Sequence, residues 1–136
     1  MKTLIYTLFN LFLMLNLAAQ ETGDLTISLE GIYETKGELF IGIYQKDNFL
    51  RQPTVGKTVA VNADENVVTF KNLPHGEYAV SVYQDLNGNE QFDMDEYGAP
   101  AEPWVMSGNV SPNAMPLFED AKISVNESSQ EITLTF

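Results

Sequence analysis

EYAVSVY (residues 77–83) is the most regular stretch of this sequence, with Tyr78, Val80 and Val82 on one side of an extended chain and the intervening residues on the other. Side chains of a β-strand point alternately to opposite faces, so this period of two predicts a strand with one face in a core. The turn-forming sequence LPHG (residues 73–76) precedes it, and a polar, acidic sequence follows. The stretch therefore predicts a bounded β-strand.

Six more segments of the chain predict strands in the same way. They are Leu25 to Glu30, Glu38 to Gln45, Thr58 to Val61, Val67 to Phe70, Lys122 to Val125 and Glu131 to Phe136. Glu38 to Gln45 is apolar on both faces, which is typical of a central strand. Thr58 to Val61 and Val67 to Phe70 are separated by a short polar connection and predict a β-hairpin.

These seven strands occur without any convincing 3.6-residue apolar period elsewhere. The pattern predicts an all-β fold, a single antiparallel β-sandwich of about seven strands with little helix. The 38 residues between Tyr83 and Lys122 show no clear strand pattern. A connection of that length is uncommon in a compact domain without a functional reason, so we expect the function to lie in this long acidic loop.

The N-terminus has the features of a secretory signal peptide. Lys2 is followed by an apolar stretch from Leu4 to Leu17 and by the small residues Ala18 and Ala19. This apolar stretch is shorter than the ~20 residues that span a bilayer. We expect residues 1–19 to be removed, leaving one β-sandwich domain at residues 20–136, secreted or periplasmic, with no membrane span after processing. The absence of cysteine excludes a lipid anchor on cysteine.

Composition excludes several classes of function. The chain has 19 acidic and seven basic residues, a net charge of −12, so nucleic acid and anionic membranes are improbable partners. His75 is the only histidine and there is no cysteine, which excludes a histidine-based metal cluster, a thiolate nucleophile and a Ser-His triad. A hydrolase using Asp85 or Asp93 would lack catalytic partners, so we expect no enzymatic activity.

The negative charge is concentrated in one part of the chain. Residues 72–121 contain nine carboxylates and no Lys or Arg, and five of the nine lie between Asp85 and Glu96. Crowded like charges destabilise a fold unless a cation joins them. This segment therefore favours a cation as partner.

The segment DLNGNEQFDMDE (residues 85–96) has the ligand spacing of a calcium loop, with oxygen-bearing side chains at positions 1, 3, 5, 9 and 12. The predicted ligands, with Gln91 contributing its backbone carbonyl, are Asp85, Asn87, Asn89, Gln91, Asp93 and Glu96. Asp95 is an alternative to Glu96. Glu90 occupies position 6, where glycine is usual, and no amphipathic helix flanks the loop. The alternative is a polar turn, closed by bonds from Asp and Asn side chains to the backbone.

A second group of residues suggests a different function. Trp104, the only tryptophan, follows a Pro-containing stretch and lies near Tyr97, Ser107 and Asn109 in the sequence. An aromatic ring beside polar groups stacks on sugars or holds peptides, although a lone tryptophan more often packs at the edge of a core. The alternative function is thus an extracellular carbohydrate- or peptide-binding module.

Four motifs carry a resemblance to a known family: FKNLPHGEYAV (residues 70–80), DLNGN (85–89) followed by Asp93, GAPAEP (98–103) and PLFEDA (116–121). In order and spacing they resemble bacterial exported proteins grouped as domain of unknown function 2141. The resemblance implies export and a Greek-key β-sandwich of the prealbumin or immunoglobulin type, and it implies no known activity. Members usually have glycine at the position of Glu90.

Together these observations predict a secreted, non-enzymatic β-sandwich protein that binds a calcium ion in its acidic loop for a structural or adhesive purpose. The expected partners are the ion itself and a glycan or cell-surface protein. Extracellular calcium modules bind with dissociation constants of roughly 10⁻⁴ to 10⁻³ M, so an exported protein fills even a weak site.

Overall fold

The computed structural model describes residues 19–136, and the predicted signal peptide lies outside them except for Ala19. Eight strands form two sheets: β1 (Thr22–Glu30), β2 (Glu38–Tyr44), β3 (Val55–Ala60), β4 (Asn66–Pro74), β5 (Gly76–Asp85), β6 (Trp104–Met106), β7 (Lys122–Val125) and β8 (Ser129–Thr135). The helical elements are a 3₁₀ turn, Lys46–Asn48, and a short helix, α1 (Phe118–Ala121). Within the described range, no helix has the length and apolarity needed to cross a membrane.

The first sheet has the order β4-β1-β8, and the second has the order β3-β2-β5-β6, with β7 also paired to β5. β6 pairs with residues 81–83 of β5 and β7 pairs with residues 76–79, so both follow the same edge of β5. All strand pairs are antiparallel except β1 and β8, which are parallel. The prediction of an all-β sandwich is confirmed, and its strands are antiparallel as predicted except for the β1–β8 pair.

The main core lies between the two sheets. β1 contributes Leu25, Ile27 and Leu29, and the alternation in β2 and β5 places every second residue in the same layer. Its members from β2 and β5 are Leu39, Ile41, Ile43, Tyr78, Val80 and Val82. Complete burial of a branched aliphatic side chain stabilises the fold by about 1.5–3 kcal/mol, so this layer is the main source of stability.

The predicted hairpin between residues 58–61 and 67–70 is wrong. β3 pairs with β2, whereas β4 pairs with β1 in the opposite sheet. The connection is closed by two hydrogen bonds of 2.7 Å between Asn62 and Asn66, and the chain passes from one sheet to the other there. A period of two shows that each segment is a strand but does not specify its partner.

The outer face of the five-stranded sheet is also apolar, as the two-sided pattern of β2 predicted. Tyr44 of β2 and Ala79 of β5 form a second buried cluster with Met106, Phe118 and Ala121. The long segment after β5 returns across this face, and α1 covers the cluster. The beginning of the same segment, residues 85–102, forms the acidic loop beyond the end of β5.

Candidate metal site

The acidic loop begins at Asp85, the last residue of β5, whose side chain is 3 % exposed. One carboxylate oxygen accepts the backbone N–H of Gly88 at 2.7 Å and the other accepts that of Glu90 at 2.8 Å. These bonds, the one from Glu90 foremost, hold the pKa of Asp85 below its usual value. Asp85 is therefore a stable anion at the base of the loop.

Asn87 and Asn89 repeat one local hydrogen-bond pattern. The side-chain oxygen of Asn87 accepts the N–H of Asn89 at 3.0 Å, and that of Asn89 accepts the N–H of Gln91 at 3.0 Å. Glu90 has φ +61° and Gly88 has φ +75°, so the chain makes left-handed turns at both residues. The loop thus adopts the sharp turn that glycine usually supplies at position 6, even with Glu90 there.

Asp93 faces the amides of the two asparagines. Its carboxylate accepts a hydrogen bond of 2.7 Å from the Asn87 amide nitrogen and bonds of 2.9 and 3.0 Å from that of Asn89. Four of the six predicted ligand residues therefore lie close together in the loop. They are Asp85, Asn87, Asn89 and Asp93.

Glu102 is a residue of this site that the sequence did not reveal. It is 7 % exposed, and its two oxygens accept the backbone N–H groups of Leu86 at 3.1 Å and Asp93 at 3.3 Å. The segment from Asp93 to Ala101 is closed by a hydrogen bond of 2.9 Å from the Ala101 N–H to the Asp93 carbonyl. This closure brings the next residue, Glu102, back to the acidic loop. The only available signal was an isolated Glu between Ala and Pro, outside the calcium-loop spacing.

The other two predicted ligands lie further from this arrangement. Gln91 is exposed, and its predicted contribution is its carbonyl oxygen. Glu96 lies in an exposed turn in which the Asp95 carboxylate accepts the N–H groups of Tyr97 and Ala99, each at 2.9 Å. Among residues 19–136, no group of three or more Asp, Glu, His or Cys side chains is arranged to hold a metal by itself. A cation here therefore requires amide and carbonyl oxygens as well.

The electrostatic environment of the loop differs from that of the remaining surface. The ion pairs of the described chain are Lys36 with Glu34, Lys46 with Glu119, and Lys122 with both Glu77 and Glu119, and His75 Nδ1 lies 3.3 Å from a Glu21 oxygen. None of them includes a carboxylate of residues 85–102. The carboxylates of Asp85, Asp93 and Glu102 accept hydrogen bonds from N–H groups instead.

The residues of the predicted carbohydrate or peptide surface do not form one face. Ser107 is 1 % exposed and bonds to the backbone of Val80 and Ala121, whereas Tyr97 is 85 % exposed. Trp104 is half-buried and packs against the second hydrophobic cluster, as favoured for a lone tryptophan. Ser107 is therefore a structural residue.

Comparison with known proteins is informative at the family level. Residues 27–133 match the family model described as "Uncharacterized protein conserved in bacteria (DUF2141)". Searches of curated proteins and of solved structures gave no match. The matched region extends from β1 to β8 and includes the acidic loop. The chain therefore belongs to the bacterial family DUF2141, as its four motifs predicted.

Proposed function

We propose that this protein is an exported, non-enzymatic β-sandwich protein that binds one calcium ion in the loop beginning at Asp85, and that the ion has a structural or adhesive role. The observation that carries the proposal is that the carboxylates of Asp85, Asp93 and Glu102, which have no basic partners, lie in one loop with the side chains of Asn87 and Asn89. Hard cations such as calcium are bound by oxygen ligands of this kind at the ends of sheets and in loops.

The ligands we propose are the carboxylates of Asp85 and Asp93, the amide oxygens of Asn87 and Asn89, and the carbonyl of Gln91. For the last carboxylate, Glu102 is a stronger candidate than the predicted Glu96, because its hydrogen bonds already hold it at the loop. The asparagine N–H groups now bonded to Asp93 partly compensate its charge. A calcium ion compensates it more completely.

Calcium binding to the folded loop stabilises the whole domain by mass action, because the unfolded chain lacks the site. At a calcium concentration one hundred times the dissociation constant, the gain is about 2.7 kcal/mol. We therefore expect the melting temperature to be several degrees higher in 10 mM calcium than in chelator. Magnesium should have a smaller effect, since it requires a tighter octahedral set of ligands.

The matched variants are Asp93→Asn and Asp64→Asn, which make the same chemical change inside the loop and in the exposed turn between β3 and β4. Asp93→Asn should lose most of the calcium-dependent increase in melting temperature, and Asp64→Asn should retain it. Equal melting temperatures of the unaltered protein in calcium and in chelator would contradict the proposal.

A further inference from the structure

A groove of about 780 Å³ lies on the outer face of the five-stranded sheet, under the long segment between β5 and α1. Its floor is formed by Phe40 and Tyr44 of β2 and by Ser81 and Tyr83 of β5, and Trp104 of β6 also lines it. Sites for small molecules have volumes of about 300–1,000 Å³ and mainly apolar walls. The groove has the size and composition of such a site.

Two glycines allow aromatic rings to lie across the sheet. A β-carbon at Gly42 would lie 2.7 Å from the Tyr44 ring, and one at Gly56 would lie 3.2 Å from the Phe40 ring. Glycine inside a strand weakens the strand, so its presence in two neighbouring strands indicates that close approach of another group is needed. On the outer face of the sheet, the groups that approach these glycines are the Tyr44 and Phe40 rings, which form the floor of the groove.

The aromatic floor continues into the acidic loop. The ring centroids of Phe40 and Tyr83 are 5.3 Å apart, and those of Tyr83 and Phe92 are 5.2 Å apart. Burial raises the pKa of the Tyr44 phenol, in agreement with its place in the floor of the groove. The groove is therefore a continuous aromatic surface rather than a set of separate side chains.

The rim of the groove exposes apolar side chains from three separate segments. Leu50, Phe92, Met94 and Met115 are half of the eight large apolar side chains exposed in the described chain, and all four line this groove. Clustered exposed apolar residues are typical of ligand-binding grooves, whereas isolated ones need no explanation.

Leu50 adds an independent observation. It has φ +57° and is 42 % exposed. The left-handed conformation is unfavourable for residues with a β-carbon, and glycine would adopt it without strain. Leu50 lines the groove, so a molecule bound there would cover the part of its side chain that is now exposed.

The charge of the lining identifies the class of this molecule. Among residues 19–136, no Asp or Glu lines the groove, although the sequence has 19 acidic residues, and the one charged lining residue in that range is Arg51. The Arg51 guanidinium donates a hydrogen bond to the Asp47 carbonyl and keeps further N–H donors for a carboxylate. A glycan would need more polar partners than Ser81, Asn113 and the O–H and N–H groups of the aromatic lining offer.

We infer that the groove binds an amphiphile with an apolar chain and a single carboxylate, of the fatty-acid class, with its chain on the aromatic floor and its carboxylate at Arg51. The inference does not rest on the proposed calcium ion, although Phe92 and Met94 of the acidic loop line the groove beside Asp93.

Laurate, below its micellar concentration and in calcium-free buffer, is the probe, and fluorescence of the single Trp104 is the readout. We expect a saturable change in emission with one laurate per chain, and about tenfold weaker binding of dodecanol, which lacks the charge-assisted hydrogen bond. Arg51→Gln should weaken laurate about tenfold and leave dodecanol unchanged. Arg51 is exposed, so this variant should fold normally.

Three results would overturn the inference. The first is no saturable response to laurate, and the second is equal laurate affinity of Arg51→Gln and the unaltered protein. The third is tighter binding of dodecyltrimethylammonium than of laurate, because an acidic surface attracts this cation without a specific site. A response to cellohexaose in the absence of one to laurate would identify the groove as a glycan site instead.

Leu50→Gly and Leu50→Ala test the rim. Both should weaken laurate by severalfold, because both remove the apolar contact. Leu50→Gly should also melt no lower than the unaltered protein, since it relieves the left-handed strain. If Leu50→Gly binds laurate with undiminished affinity, the rim is not part of the site and the proposed binding mode fails.

Discussion

Glu90 holds a conformation that its β-carbon disfavours. Its φ of +61° is left-handed, and its backbone N–H is bonded to the Asp85 carboxylate, so the loop cannot relax without losing that bond. For a residue with a β-carbon this region is unfavourable by roughly 1–2 kcal/mol, and glycine adopts it without strain. The loop bonds of Asp85 therefore maintain strain at Glu90.

We predict that Glu90→Gly raises the free energy of unfolding by about 1 kcal/mol, because glycine removes the strain but is also more flexible in the unfolded chain. Urea denaturation in chelator measures the change. Glu90→Ala is the control, since it removes the same carboxylate and keeps the β-carbon. Equal stability of the two variants would show that the side chain, and not the backbone, determines the effect.

Sequence spacing predicted the part of the site that is local. The Asp and Asn residues at alternate positions from Asp85 to Asn89 form the expected side-chain-to-backbone turns, a feature that the calcium loop and the polar turn share. The position of Glu102 was not predictable, because it depends on the hydrogen bond between Asp93 and Ala101 that closes the segment before it. The spacing of residues in a sequence shows which of them are neighbours within a turn. It does not show which residue from further along the chain lies beside that turn.

Ser107, which directly follows β6, joins β5 to α1. β6 and β7 pair with adjacent parts of β5, and Val80 lies between the two paired regions. The Ser107 N–H donates to the Val80 carbonyl at 2.9 Å, and its hydroxyl accepts the Val80 N–H at 2.8 Å. The hydroxyl in turn donates to the carbonyl of Ala121, the last residue of α1, at 2.6 Å.

We predict that Ser107→Ala lowers the free energy of unfolding by about 2–6 kcal/mol. The substitution leaves the Val80 N–H and the Ala121 carbonyl buried without partners, at about 1–3 kcal/mol for each group. Urea denaturation measures the loss, with Ser124→Ala, an exposed serine in β7, as the control. A loss no greater than that of the control would contradict the role of Ser107 as the link between β5 and α1.

The strands that the sequence predicted are those with enough residues to show alternation. β7 was predicted with its observed bounds, and β1, β2 and β5 were predicted within a few residues. β6 was missed because its three residues are too few to establish a period. The side chains of β2 facing away from the main core correctly indicated a second covered face, yet nothing local indicated that the covering segment leaves a groove.

Charge divides the whole molecule into two regions. Ion pairs involving Lys46 and Lys122 connect the 3₁₀ turn, α1, β5 and β7 near one end of the long segment. The acidic loop at the other end has no basic partner among the described residues. An added cation should therefore act mainly on the loop, whereas acid should act on the ion-pair network and also on the loop, where the pKa of Asp85 is lowered.

The network gives a defined pH dependence. Its centre is Glu119, whose pKa is lowered from 4.5 to about 2 by hydrogen bonds from Lys46 and Lys122, and the pKa of Lys122 is raised to about 12 by hydrogen bonds from Glu77 and Glu119. A carboxyl with a lowered folded-state pKa stabilises the protein fully above its unfolded-state value and loses that effect as the pH falls through the folded-state value. For Lys122 the stabilisation is complete below 10.5 and is lost as the pH rises through about 12.

We predict that Glu119→Gln melts slightly below the unaltered protein from about pH 5 to pH 10, and that the difference disappears between pH 4.5 and about 2, where Glu119 becomes protonated. The difference should be small, since exposed ion pairs stabilise weakly, and smaller still in 1 M salt. Glu131→Gln, an exposed substitution in β8 outside the network, is the control. Calcium should leave the difference unchanged, because the ion acts at the opposite end of the segment. A difference between Glu119→Gln and the unaltered protein that persists at pH 2 would show that packing, and not charge, joins α1 to the sheet.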